Sequence, residues 1–189
     1  SQISFYVAKI GEAQTVKLIT NLLFYSGTVT SGECLALAQE AGIPLQWMWE
    51  NTRGTKANSI AVEQFIPFLF DGSYDNSCTL EIGHKDMNLT CDLADELKVL
   101  LPLGRIVRDH YDETIRRYNS QDGHIIVCKI TEQDNNISMK IPNFFAPSKY
   151  GVNPNFIRTN EMVTDQWGRF KPKLPSRYNS QPFTPNPNQ

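Results

Sequence analysis

Apolar residues between positions 21 and 69 come in short runs. Residues 22–29 and 34–38 form two of them, joined by Thr30, Ser31 and Gly32, and residues 59–65 form a third that alternates apolar with polar. Phe24, Tyr25, Val29, Ile60 and Val62 are aromatic or β-branched, types that suit a pleated, half-buried surface, while Gly27, Gly32, Gly42 and Gly54 fall at the breaks. The pattern predicts strands. Residues 3–7, 79–82 and 89–91 add three short runs, and residues 15–23, although Val16, Ile19, Leu22 and Leu23 also fit a helical face, are read as a strand on their β-branched content. Short strands at this spacing predict an all-β antiparallel sandwich or barrel.

One region has strong helical character, residues 92–118. Asp92 is placed to cap it, Leu93, Leu97 and Leu100 share a face, and Pro102 with Gly104 interrupts before Val107, Tyr111 and Ile115 resume the period. Beyond it, residues 124–130 and 137–141 flank a polar tetrapeptide and predict a β-hairpin. From Pro142 the composition changes: eight of the eleven prolines lie between there and Pro187. Proline cannot donate to a ladder, so the expected organisation is a folded unit at 1–143 and an extended arm at 144–189.

The formal net charge of −2 predicts no wholesale attraction to nucleic acid or membrane, but its distribution is uneven. Lys149, Arg158, Arg169, Lys171, Lys173 and Arg177 stand against Glu161 and Asp165 in the arm, which is therefore locally +4 and leaves −6 for the rest. Trp167, Phe170, Tyr178 and Phe183 lie among those cations. Large aromatics left in water forfeit roughly 1.5–3 kcal/mol each, so Trp167, Arg169, Phe170, Lys171, Lys173, Arg177, Tyr178 and Phe183 are the candidate contacts to a neighbouring subunit or to RNA. No run approaches the ~20 apolar residues of a membrane span, and a soluble chain is expected.

Chemistry is sparse. Cys34, Cys78, Cys91 and Cys128 are widely spaced without a C-x-x-C pair, which predicts reduced thiols and no metal site. His124 and Cys128 are the nearest histidine–cysteine pair, and an enzyme centred on them would show a reactive thiol. Asp92, Asp95 and Glu96 form a carboxylate cluster that a helix start explains. Nucleophile-elbow, zincin, P-loop and paired-glycine fingerprints are missing, so no catalytic residue and no cofactor are expected. Residues 34–48 also fit a helix-turn-helix spacing, the basis of an alternative reading as a nucleic-acid-binding regulator, although LQWMWEN would make an apolar recognition helix.

The segments SGECLALAQEAGIPL and WENTRGTKANSIAVEQF resemble a strand–loop–strand passage in coat proteins of picorna-like plant viruses of the Secoviridae, the comovirus, cheravirus and torradovirus group. FYSGTVT resembles an aromatic strand start of such proteins, and ISMKIPNFFAP is similar to their proline–aromatic strand end. Ser1 and Gln189 are the residues that a polyprotein protease cutting between Gln and Ser would leave. The resemblance implies a jelly-roll capsid protein without enzymatic activity, located in the virion. Its implied partners are sister coat subunits in an icosahedral shell around single-stranded RNA.

Overall fold

A computed structural model describes residues 11–75, 78–144 and 146, together with the backbone of 162–164 and 170–172. The architecture is helical. Helix α1 (Glu12–Glu40) is followed by α2 (Leu45–Arg53), a π-helical turn (Ala61–Phe65) running into α3 (Ile66–Phe70), α4 (Leu80–Glu96), α5 (Pro102–Arg117), a 3-10 turn (His124–Val127) and α6 (Cys128–Asp134). Strands β1 (Met162–Thr164) and β2 (Phe170–Pro172) pair antiparallel, with Val163 opposite Lys171. Among the described residues these two and an isolated bridge between Thr79 and Gly123 are the whole of the β structure, so the expected all-β jelly roll is overturned.

The strand prediction failed at its centre because the runs 22–29 and 34–38 sit on one helix, and the runs at 59–65, 79–82 and 89–91 fall on or beside the π-helical turn and α4. At 29 residues, α1 is roughly 44 Å long. Leu18, Tyr25, Val29, Gly32, Leu35 and Ala36 recur at spacings of three, four and seven, and all are buried. Its hydroxyl residues, poor helix formers in isolation, bond back along the helix: Thr28 Oγ1 donates to the Phe24 carbonyl at 3.1 Å and Ser31 Oγ to that of Gly27 at 2.6 Å. Burial along the whole length then outweighs the weak propensity of Thr, Val and Gly. Gly42, at φ 72°, makes the turn into α2 that Pro44 begins.

The helix expected at 92–118 is two helices with different ends. Asp92 lies inside α4 rather than capping it, the chain breaks at 97–101, and Pro102 opens α5, where a missing N–H costs nothing. Leu97 and Leu100 are exposed, not on a buried face, whereas Val107 and Tyr111 are fully buried as their period implied. The expected hairpin is absent too. Residues 124–134 are helical, and 137–141 pass across the core without a partner strand, held where the Ile141 amide donates to the Phe70 carbonyl at 2.8 Å and the Met139 amide to Glu132 Oε1.

Helices α1, α4 and α5 pack together and α6 closes on α1. Two glycines permit the closest approaches. A Cβ on Gly83 of α4 would stand 2.8 Å from Cε1 of Tyr111, and one on Gly32 of α1 would stand 3.0 Å from Sγ of Cys128. Phe144 packs edge-on against Phe70 and Trp49, with ring centroids 5.3 and 6.3 Å apart. Gly123 lies against the backbone of 74–75: a Cβ there would overlap the Tyr74 carbonyl oxygen and stand 2.8 Å from Asp75 Cα. Because backbone cannot yield as a side-chain tip can, Gly123→Ala is expected to destabilise the fold by about 1–3 kcal/mol, read as a lower urea midpoint at unchanged slope.

Candidate functional site

Three residues one turn apart on α1, Lys17, Asn21 and Tyr25, face α4. Helical spacing i, i+4, i+8 stacks them on one stripe. Opposite them stands Asp86, whose side chain is 2% exposed. Lys17 Nζ donates to Asp86 Oδ1 at 3.3 Å and Asn21 Nδ2 donates to Oδ2 at 2.8 Å, so both carboxylate oxygens are held from the same helix. A buried carboxylate needs such partners. The Lys17 side chain, half exposed, carries the pair to the surface. Lower on the stripe, burial pushes the Tyr25 hydroxyl far above its ordinary range, with Cys78 and Asp86 adding to it, and Tyr25 is hydrogen-bonded to the Cys78 thiol. Burial raises that thiol as well. Cys78 also lines a cavity of about 480 Å³ together with Tyr74, Gln121, Asp122 and Lys129.

The arrangement offers a half-exposed cation on a buried anion, beside an amide, at the surface. Such a group can hold an oxygen of a bound molecule and exchange a proton with it. Lys17, Asn21 and Asp86 were not singled out from the sequence, and Tyr25 and Cys78 were read there only as a strand residue and a reduced thiol. Reading 15–23 as a strand set positions 17, 21 and 25 about 13 Å apart in steps of four residues; on a helix one step is about 6 Å.

The residues that were singled out fare differently. Burial pushes His124 down to about 4 and Cys128 up to about 12, so one is a neutral base and the other a protonated thiol at neutral pH. His124 packs among Phe24, Tyr25 and Phe65, with ring centroids at 5.3, 5.6 and 5.6 Å, while the Cys128 thiol donates to the Thr28 carbonyl at 3.5 Å. That is a core pair, not a nucleophile and base. Asp92, Asp95 and Glu96 lie at the C-terminal end of α4, opposite to the dipole end first assigned, and Asp95 pairs with Arg105. The four cysteines are free; Cys91 and Cys128 are buried, whereas Cys34 is exposed. Among the described residues no group of His, Cys, Asp or Glu can hold a metal, and no helix is long and apolar enough to cross a membrane.

In the helix-turn-helix segment, Trp49 is 3% exposed and donates its indole N–H to the Val62 carbonyl at 2.7 Å, while Arg53 stacks on that indole and bonds Glu63. Those side chains build core and are not presented to a groove. Of the arm candidates, Trp167, Arg169, Lys173, Arg177, Tyr178 and Phe183 lie outside the described residues, and for Phe170 and Lys171 only the backbone in β2 is described.

Residues 11–131 match the family model described as the NAD-binding domain of NADP-dependent 3-hydroxyisobutyrate dehydrogenase. The chain belongs to this family. It is 35% identical to L-threonate dehydrogenase of Escherichia coli K12 over 96 residues, 51% of this chain and 32% of that protein. To 2-(hydroxymethyl)glutarate dehydrogenase of Eubacterium barkeri it is 23% identical over 136 residues, 71% of this chain and 45% of the other. A crystal structure of a 3-hydroxyisobutyrate dehydrogenase from Salmonella typhimurium superposes with a TM-score of 0.58 at 30% identity, over 61% of this chain and 41% of that one. The chain spans about a third of the length of the L-threonate dehydrogenases it matches. Membership in a dehydrogenase family overturns the capsid resemblance. With it fall the expected shell, the coat and RNA partners, the virion location, the regulator alternative and the expectation of no enzyme. Three of the segments that carried the resemblance fall on α1, α2, the π-helical turn and the loops between them, and the fourth begins in the 137–141 stretch that has no partner strand.

The family's description introduces a nicotinamide dinucleotide, and the residues present fit one only in part. A pyrophosphate is usually taken by free N–H groups at a helix start after a glycine-rich turn. Among the described residues no glycine-rich turn leads into a helix: α2 follows Gly42, Ile43 and Pro44, Pro102 opens α5, and the first amides of α4 are already bonded, Leu80 to the Asp122 carbonyl and Glu81 to that of Ser120. Glu12 puts a carboxylate in the first turn of α1. The described residues therefore supply no pyrophosphate cradle; what they can offer is a polar, proton-handling edge at Lys17 and Asn21.

Replacing Asp86 with Ala is expected to destabilise the fold by about 1–3 kcal/mol, since the Asn21 amide and Lys17 lose a buried acceptor; urea titration measures it. His124 yields a pH dependence. Its folded-state pKa, about 4, lies below the ordinary 6.5, so the unfolded chain binds the extra proton between these values. Its contribution is complete above pH 6.5 and is lost as pH falls toward 4, at no more than about 1.4 kcal/mol per pH unit. The parent-minus-His124→Gln difference in unfolding free energy should shrink across that window and stay level from pH 7 to 8.

Proposed function

We propose that this chain forms the helical part of the active centre of an NAD(P)-dependent dehydrogenase acting on small hydroxy acids, with Lys17 as its proton-transfer residue. The observation that carries the reading is the convergence of Lys17 and Asn21 on buried Asp86 at an open edge. An exposed ion pair contributes little to stability, about 0–1 kcal/mol, so stability alone gives weak reason to bury a carboxylate beneath a half-exposed lysine. Oxidising an alcohol to a carbonyl removes a hydride and a proton from the same site. As the neutral amine Lys17 takes the proton from the hydroxyl oxygen and becomes the ammonium that Asp86 holds, and in the reverse direction that ammonium returns the proton to the carbonyl oxygen. Asp86 fixes the ammonium, and Asn21, one turn on, has an amide oxygen and a second N–H with which to orient the same substrate oxygen. A bound nicotinamide would supply the hydride acceptor.

The relatives named above act, by their names, on L-threonate, 3-hydroxyisobutyrate and 2-(hydroxymethyl)glutarate, all hydroxylated carboxylic acids. That shared chemistry supports the substrate class. We also propose the organisation that the change of composition suggests, a folded unit at 1–143 and an arm at 144–189, with Phe144 packed on the core at the junction.

The protein is assayed with NAD and NADP against a panel holding those three acids. Lys17→Met is expected to lower kcat at least ~100-fold with an unchanged helical circular dichroism spectrum, the usual scale for a lost acid–base group. Turnover undiminished in Lys17→Met, or none by the parent on any hydroxy acid with either cofactor, defeats the reading.

A further inference from the structure

After α6 the chain turns back along it. Asn136 stands at φ 54°, a left-handed conformation that asparagine adopts more readily than most residues; its amide donates to the Gln133 carbonyl at 3.1 Å, and the Ile137 amide to that of Glu132 at 2.9 Å. From there the side chains alternate: Met139 is fully buried, and Ser138 and Lys140 beside it are exposed. The return leaves a cavity of about 520 Å³ against the last turns of α6, a size within the roughly 300–1,000 Å³ of small-molecule sites. Lys129 reaches it from α6, with its ammonium 4.8 Å from the centre of the Tyr74 ring. Lys140 reaches it from the returning segment, its stem against Gly72, where a Cβ would stand 3.0 Å from Cδ.

Charge decides what the cavity takes. Among the described residues neither lysine has a carboxylate at ion-pair distance, whereas the acidic groups around them are committed elsewhere. Glu132, 5% exposed, accepts from the Tyr74 hydroxyl on one oxygen and from the Met139 amide on the other. Asp134 pairs with Arg117, and Asp71 accepts from the amides of Ser73 and Ala146. The side-chain amides of Gln133 and Asn136 add neutral donors, and Ser138, whose oxygen accepts from the Lys140 amide at 3.3 Å, keeps its O–H to donate. Two uncommitted ammonium groups among such donors suit one compact dianion. A phosphate monoester carries about −1.5 to −2 charges and three acceptor oxygens in a single group, where a carboxylate carries one charge and two oxygens. We propose that this cavity is a second ligand site, taking a small phosphorylated molecule whose phosphate is held by Lys129 and Lys140. Most of its lining lies beyond the matched residues 11–131, and Lys17, Asn21 and Asp86 do not line it, so the proposal stands or falls separately from the dehydrogenase reading.

Isothermal titration calorimetry of the whole chain at low ionic strength is the test, with glycerol 3-phosphate, inorganic phosphate and malonate as probes. The parent is expected to bind glycerol 3-phosphate one to one, and more tightly than either inorganic phosphate or malonate, a dianion whose charge is split over two carboxylates. Lys129→Met/Lys140→Met should weaken that binding at least ~10-fold with an unchanged helical spectrum, the scale of one charge-assisted hydrogen bond. Lys56→Met/Lys98→Met, which removes two exposed lysines elsewhere, should bind as the parent does. Amide resonances of the parent supply a readout that needs no variant: those of 136–140 should shift on adding the ester, and those of 12–25 should not. A parent that does not bind the ester overturns the proposal, as does a Lys129/Lys140 variant of undiminished affinity or an equal loss in the control pair. Inorganic phosphate bound as tightly as the ester means an adventitious ion only, and malonate bound as tightly removes the phosphate preference; either result also overturns it.

Discussion

Helix α1 is the member on which every other described helix depends, because its successive faces meet different neighbours along its length. The Lys17–Asn21 stripe meets α4, Leu22 meets α5, Gly27 meets the π-helical turn, and Thr28 with Gly32 meets α6. A helix surrounded in this way cannot rely on a broad single-sided apolar stripe, and it has none: small and hydroxylated residues alternate with large ones as each neighbour requires. Close packing of this kind leaves little tolerance for added volume at the contacts, which is where Gly32 and Gly83 fall.

The candidate site follows from the same constraint. Because α1 and α4 are held close by the Tyr25, Tyr111 and Gly83 contact, Asp86 is carried under the first turns of α1 and is removed from water. Burial obliges the carboxylate to find donors, and the two within reach project from a single stripe. A buried anion thereby fixes a half-exposed cation without covering it. The aromatic cluster around His124 plays the opposite part: it is dry, it keeps the imidazole neutral, and it stiffens the floor beneath the site.

Membership in a dehydrogenase family and the geometry of the Lys17 cluster support one another from different directions. The described residues bring Lys17 and Asn21 together on buried Asp86 and include no glycine-rich turn leading into a helix, and the chain spans only about a third of the L-threonate dehydrogenases that it matches.

The sequence by itself determined the interrupted helical period through Val107 and Tyr111, the start of a new element at Pro102, the turn at Gly42 and the compositional change after Pro142. These are local properties, written in single residues or in spacing along one element. Only the tertiary structure decided that residues 12–40 are one helix, since threonine, valine and glycine there favour other conformations until three neighbouring helices bury them. Likewise it alone joined Lys17 and Asn21 to Asp86, some 65 residues on, because a buried carboxylate acquires its partners through packing and carries no mark of them in its own neighbourhood. The capsid resemblance failed for the same reason: short apolar segments look alike whether a sheet or a helix bundle buries them.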